Sequence, residues 1–249
     1  SDYNPFVVLP HKPTYLLPIT YNASPNNNPS RKLTGEDMQY AEIKFQLSLK
    51  VVMVPKLFKD NGQLAFAYTQ QSYWQAYQFR RSSPFRETNH EAELMLYFFN
   101  DVDLMVMKNR MITWGLLHHS NGRAEQFSRS WNRLYLNFVL EERNLVISIK
   151  PWYRIPDEEK RDENPDIEKF YGYGEVLAHY QMSEYSIGLL LRNNFRSRNR
   201  GAIQLSWTFP LYNKVNGYLQ YFNGYGESLI DYNDSTNRIG LGIMLTNWL

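Results

Sequence analysis

The 249-residue chain contains no cysteine. Disulfides, a thiol nucleophile and cysteine-ligated zinc are excluded, while the compartment is left open. No apolar run approaches the ~18 residues of a membrane-spanning helix, which excludes a helical membrane protein. An excess of charge of one sign is also missing, since 27 Lys and Arg against 25 Asp and Glu leave a formal net charge of +2. With no basic cluster either, nothing calls for a nucleic-acid partner. No signal-peptide pattern opens the sequence at Ser1 and Asp2, so an exported protein is expected here in mature form.

Aromatic residues are plentiful, with 19 Tyr, 14 Phe and 6 Trp making 16% of the chain. Tyr and Trp suit a membrane-water interface, where one end of the ring is wet and the other apolar. A 43% hydrophobic fraction looks ordinary for a soluble protein. A transmembrane barrel looks the same on average, because its strands alternate lipid-facing apolar residues with lumen-facing polar ones.

The patterning favours the barrel. Ile43, Phe45, Leu47, Leu49 and Val51 are apolar, whereas Glu42, Lys44, Gln46, Ser48 and Lys50 are polar, the period of a strand between two media. Similar alternation recurs over 64–74, 92–98, 112–120, 132–140, 145–153, 185–191, 203–211, 215–221 and 239–249, and less cleanly over 170–180. Most stretches are about ten residues, the span a tilted strand needs to cross a bilayer. Roughly eleven strands can be read, and because bacterial barrels use even numbers, about twelve are expected. The expected fold is therefore all-β, a single antiparallel transmembrane β-barrel. Six prolines between Pro5 and Pro29 suit neither helix nor central strand, so residues 1–41 read as an irregular arm, with a short extended piece near 15–21, and residues 42–249 as the barrel. The charged stretch 156–165 reads as a loop outside the membrane.

Parity assigns each residue to one side of the wall. Ile112, Trp114 and Leu116 form a lipid-facing row, and its continuation carries His118 and Ser120, while His119 points inward. Running the row Leu140, Phe138, Leu136, Leu134 backwards places Asn132 on the same outer face. A hairpin pairing Leu116 with Leu134 also sets His118 opposite Asn132, with Cβ atoms about 5 Å apart. A serine hydroxyl needs a base to take its proton, and a histidine base needs a third group to orient it. The same residues also fit a strand end hydrated by lipid headgroups, and the G-x-S-x-G elbow of α/β-hydrolases is absent. Parity thus permits a catalytic site and leaves a non-enzymatic barrel, a pore or adhesin, as the alternative. Gln70 faces lipid in mid-strand, where an unpaired amide is costly and calls for a partner. A second copy across a twofold axis or a neighbouring strand of the same barrel would each serve.

The strings HHSNGR (118–123) and SRSWNRLY (128–135) resemble the active-site segment of the outer membrane phospholipase A family. Further matches are SSPFRETN at 82–89, KPWY at 150–153, NPDI at 164–167 and GYGESLIDYN at 224–233. The resemblance implies a bacterial outer-membrane, twelve-stranded, calcium-dependent phospholipase A1/A2 that acts as a homodimer on phospholipids and lysophospholipids. It further implies His118 as base, Ser120 as nucleophile and Asn132 as the orienting group, with the Gly122 N–H in the oxyanion hole. Calcium ligands are implied at the Arg123 carbonyl, the Ser128 hydroxyl, an acidic position occupied by Glu163 and, from a second subunit, the Ser82 carbonyl. Familiar members carry Asp where this chain has Glu163, and Asp162 stands beside it. Gln70 is implied in the dimer interface.

Overall fold

The computed structural model describes residues 7–35, 37–78, 84–158, 162–212 and 215–246. Its sheet begins with β1 (Val8–Pro10), β2 (Thr14–Asn22), β3 (Ala41–Val54), β4 (Gln63–Trp74), β5 (Phe85–Leu104) and β6 (Met107–Ser120). It continues through β7 (Ser130–Glu142), β8 (Leu145–Ile155), β9 (Gly174–Met182), β10 (Tyr185–Asn193), β11 (Gly201–Tyr212), β12 (Val215–Tyr225) and β13 (Ser235–Thr246). Neighbours in sequence pair antiparallel from β2 to β13, and β13 pairs with β2, so twelve strands close on themselves. Closure leaves no unpaired strand edge in lipid, where unmade backbone hydrogen bonds are costly.

The boundary expected between an arm and a barrel at residue 42 is overturned. Thr14–Asn22 is a barrel strand, and Val8–Pro10 adds a short rung against Val51 to Leu49 of β3. Proline does not prevent this, because Pro10 stands at the end of the short β1 and Pro18 falls where the ladder is already broken. Pro18 lies in a register shift relative to both β3 and β13, where its missing N–H costs no rung. Gly242 of β13 passes close to this bulge, and a Cβ there would lie 2.0 Å from the Leu16 carbonyl oxygen. Between Pro10 and Pro13 the chain turns inward, setting His11 Nε2 3.0 Å from Glu93 Oε1 and Lys12 against Glu91. Thus the segment is pinned inside the lumen. The other departure is at 170–180, where α2 (Glu168–Tyr171) precedes β9.

The two barrel ends differ. Tight connections join β5 to β6, β7 to β8 and β9 to β10, with Met105, Arg143 and Ser183 at positive φ. The opposite end carries the long connections: α1 (Asn27–Thr34) between β2 and β3, the 121–129 loop with a 3₁₀ turn (Glu125–Phe127), the loop containing α2, and residues 226–234. In outer-membrane barrels long loops face outward and short turns inward. Inside the long-loop end, Trp131, Trp152, Phe170, Tyr171, Leu229 and Tyr232 pack into one apolar cluster. Buried ions are paired: Lys44 Nζ lies 2.9 Å from Glu227 Oε1, Arg238 Nε 2.9 Å from Glu227 Oε2, and Arg86 Nη2 3.0 Å from Glu42 Oε1. Deeper in, the lumen holds a cavity of about 600 Å3. The outer wall exposes a belt of apolar side chains including Leu47, Leu49, Phe66, Leu94, Leu116 and Leu134, as a bilayer requires.

Candidate active site

The β6–β7 ladder pairs Leu116 with Leu134 and His118 with Asn132. This is the register the two apolar rows demand, because a one-residue slip would turn both rows into the lumen. His118 is exposed on the outer wall and Asn132 half-buried beside it. His118 Nδ1 lies 2.8 Å from Asn132 Oδ1. With Nδ1–H donating to the amide oxygen, the ring lone pair is on Nε2. Ser120 lies two residues along the same face, roughly 7 Å further at the ordinary strand rise. His119, between them, is buried in the lumen, where it accepts a 3.3 Å hydrogen bond from Trp131 Nε1.

Ser120 is the last residue of β6, at the long-loop rim. Just beyond it, the buried Asn121 closes the loop upon itself. Its side-chain N–H donates to the Phe127 carbonyl at 2.9 Å, its Oδ1 accepts from the Arg129 and Arg123 amides at 2.9 and 3.3 Å, and its own amide donates to the Arg129 carbonyl at 3.0 Å. Those bonds fix the loop around Gly122, whose φ of +61° lies in the left-handed region, open to glycine without strain. Gly122 is exposed next to Ser120. Arg123 is anchored by its side chain, with Nε 3.0 Å from Glu87 Oε2 and a second bond to the Arg86 carbonyl.

Residues 162–164 reach the same corner. Ser130 donates its hydroxyl to Glu163 Oε2 at 3.2 Å and its amide to Asn164 Oδ1 at 3.1 Å. Asp162 turns away and pairs with Arg154 Nη2 at 2.7 Å. Glu163 is thus the carboxylate nearer the 121–129 loop, with Arg123 and Ser128 on that loop's two limbs. Among the described residues no group of three or more His, Cys, Asp or Glu converges to hold a metal. Any cation here would be met by carbonyl, hydroxyl and single carboxylate oxygens, a hard donor set that suits calcium and not zinc. Ser82 lies outside the described residues. Gln70 sits on the outer face opposite Leu47 and His90, and its amide donates to Ser72 Oγ at 3.2 Å on its own strand.

Two neighbours escape the sequence reading, Asn121 and His90. The outer row of β5 read from Ala92 onwards stops one step short of His90, which pairs with Ser120 in register. Extending the alternation by two residues would have found it. Asn121 stands inside the HHSNGR string, but its loop-closing role left no comparable signal, because its partners are backbone groups of a loop.

The sequence matches the Phospholipase A1 family over residues 1–245. A phospholipase A1 of Klebsiella pneumoniae is 38% identical over 98% of this chain and 84% of its own length. Among solved structures, a Salmonella typhi outer membrane phospholipase, crystallised as a dimer with bound calcium, superposes with a TM-score of 0.93 at 36% identity, covering 99% of this chain and 95% of that one. Another, of the Escherichia coli outer membrane phospholipase A, is an active-site mutant with an asparagine changed to alanine; it superposes with a TM-score of 0.92 at 35% identity over 99% and 95% of the two chains. With the closed twelve-stranded barrel, these matches establish that the chain is an ester hydrolase of the bacterial outer membrane and belongs to the phospholipase A1 family.

Proposed function

We propose that the protein hydrolyses acyl ester bonds of phospholipids and lysophospholipids through Ser120, His118 and Asn132, with calcium, as a homodimer. The observation carrying this reading is the 2.8 Å contact from His118 Nδ1 to Asn132 Oδ1 on the lipid-facing wall, beside Ser120. Asn132 orients the imidazole and selects the tautomer that leaves Nε2 basic. His118 Nε2 takes the Ser120 proton as Oγ attacks the ester carbonyl. The same nitrogen then protonates the departing lysophospholipid oxygen, leaving an acyl-Ser120 ester. Water activated by His118 cleaves that ester and releases the fatty acid. The Gly122 amide donates to the carbonyl oxygen as charge develops on it. Apolar rows through Leu94, Leu116 and Leu134 hold the acyl chain at the depth where lipid already lies.

The Arg123 carbonyl, the Ser128 hydroxyl, Glu163 and the partner subunit's Ser82 would hold calcium. When bound, the ion adds positive potential beside the oxyanion position. The relative crystallised as a calcium-bound dimer supports calcium and pairing, and the relative whose active-site mutant replaces an asparagine supports an asparagine in the site. Fatty-acid release from phosphatidylcholine in detergent, with and without a calcium chelator, tests the reading. Wild type should lose activity with chelator, and Ser120→Ala should be inactive in both conditions. Undiminished hydrolysis by Ser120→Ala would remove Ser120 as nucleophile.

A further inference from the structure

His90 stands beside Ser120 and takes no part in the mechanism above. It lies on the outer face of β5, directly opposite Ser120 on one side and Gln70 on the other, so the His90 and Ser120 Cβ atoms are about 5 Å apart. Its ring is held from behind. Tyr68 Oη lies 2.6 Å from His90 Nδ1, and the two rings stack with centroids 6.1 Å apart and planes at 26°. A phenol is a stronger acid than a neutral imidazole N–H, so Tyr68 is assigned as the donor and Nδ1 as the acceptor. That assignment places the imidazole proton on Nε2.

The edge carrying this proton lies against Gly122. A Cβ on Gly122 would lie 3.8 Å from both His90 Nε2 and Cδ2, so the ring edge borders the backbone of the glycine whose amide serves as donor. Ala92, the next outward residue of β5, lies between Tyr68 and His118 in register. Its single methyl group keeps the space between the two histidines clear for an ester. We propose that His90, tethered by Tyr68, is a further catalytic residue whose Nε2–H donates to the substrate carbonyl oxygen as it becomes an oxyanion, opposite the Gly122 amide. The inference rests on the reading of Ser120 as nucleophile. Donors fixed in place before charge develops contribute more than donors that must reorganise, which is the use of the Tyr68 tether.

The test uses the intact protein in detergent with calcium, on phosphatidylcholine and on a headgroup-free p-nitrophenyl acyl ester. His90→Phe keeps the ring volume and loses the donor, whereas His90→Gln returns an amide N–H near the Nε2 position. The expected result is a fall in kcat of roughly 100-fold or more for His90→Phe on both substrates with KM little changed, partly restored in His90→Gln. Tyr68→Phe, which frees the ring, should give a smaller fall in kcat. An unchanged kcat in His90→Phe would overturn the proposal, and so would a change confined to KM. A loss seen only with phosphatidylcholine would overturn it in favour of a phosphate contact. Ser120→Ala, measured alongside, separates the two levels. If it remains active, the nucleophile assignment fails; if it is inactive while His90→Phe keeps full kcat, only the His90 assignment fails.

Discussion

His118 Nδ1 and Asn132 Oδ1 are 2.8 Å apart although the residues are 14 positions apart in the chain, because they are direct partners across β6 and β7. The bond therefore depends on strand register and not on a flexible loop. Asn132 carries no charge, so it orients the ring without the electrostatic support of a carboxylate. Asn132→Ala should lower kcat by about tenfold, near the worth of one net hydrogen bond, and Ser120→Ala should lower it far more. Steady-state hydrolysis by the two variants checks this, and equal losses would show that orientation counts for more.

Asn121 holds both limbs of the loop that carries Gly122 and Arg123. Asn121→Ala strands the Arg123 and Arg129 amides and the Phe127 carbonyl, at about 1–3 kcal/mol for each group left buried and unpaired. The loop is expected to open while the barrel stays folded. Hydrogen exchange should rise across 122–129 with the strand amides still protected, and more calcium should be needed for half-maximal activity. Unchanged exchange in the loop would contradict this role.

Gln70 donates to Ser72 within its own strand, and its outer position leaves the amide oxygen available to a second barrel. If two copies meet along this face, each supplies part of the acyl-binding wall to the other. Specific activity should then rise with protein concentration in detergent, and Gln70→Leu should shift that rise to higher concentration. Activity that does not vary with concentration would exclude obligate pairing.

Glu227 lies in the loop between β12 and β13. Burial opposes its ionisation, but Arg238 and Lys44 prevail and hold the carboxyl below its ordinary range. A depressed folded-state pKa means that the stabilisation is complete above the ordinary carboxylate pKa and is lost as pH falls through the folded value. Glu227→Gln should therefore unfold at a lower temperature than wild type at neutral pH, since breaking a buried pair costs about 3–5 kcal/mol. The gap should narrow on acidification below about pH 4, near the unfolded carboxylate pKa. Thermal unfolding in detergent at several pH values measures it, and a gap that widens in acid would reverse the sign argued here.

Much of the barrel was legible because side-chain direction has a period of two and the two faces meet different solvents. The same parity placed His118, Ser120 and Asn132 outward and His119 inward, as observed. The missing twelfth strand was hidden for a physical reason. In β2 the buried residues are Tyr15 and Leu17 before Pro18, and Thr20 and Asn22 after it. The bulge at Pro18 shifts the inward set by one residue, so no alternation survives across it. Because Tyr15 and Leu17 are apolar yet face the lumen, the contrast between faces is blurred as well.

Taken alone, the sequence determined the strand class, the outward row of candidate catalytic side chains and their resemblance to a lipolytic family, because each depends on local order along the chain. Tertiary structure decided what depends on neighbours remote in sequence. It drew Thr14–Asn22 between β13 and β3 to close the barrel. It bound Glu163 to Ser130 and sent Asp162 to Arg154. It also set His90, held by Tyr68, beside Ser120 and Gly122. Those relationships follow from cross-strand register and loop docking, where a partner is chosen by three-dimensional fit, and no pattern along a single strand encodes that choice.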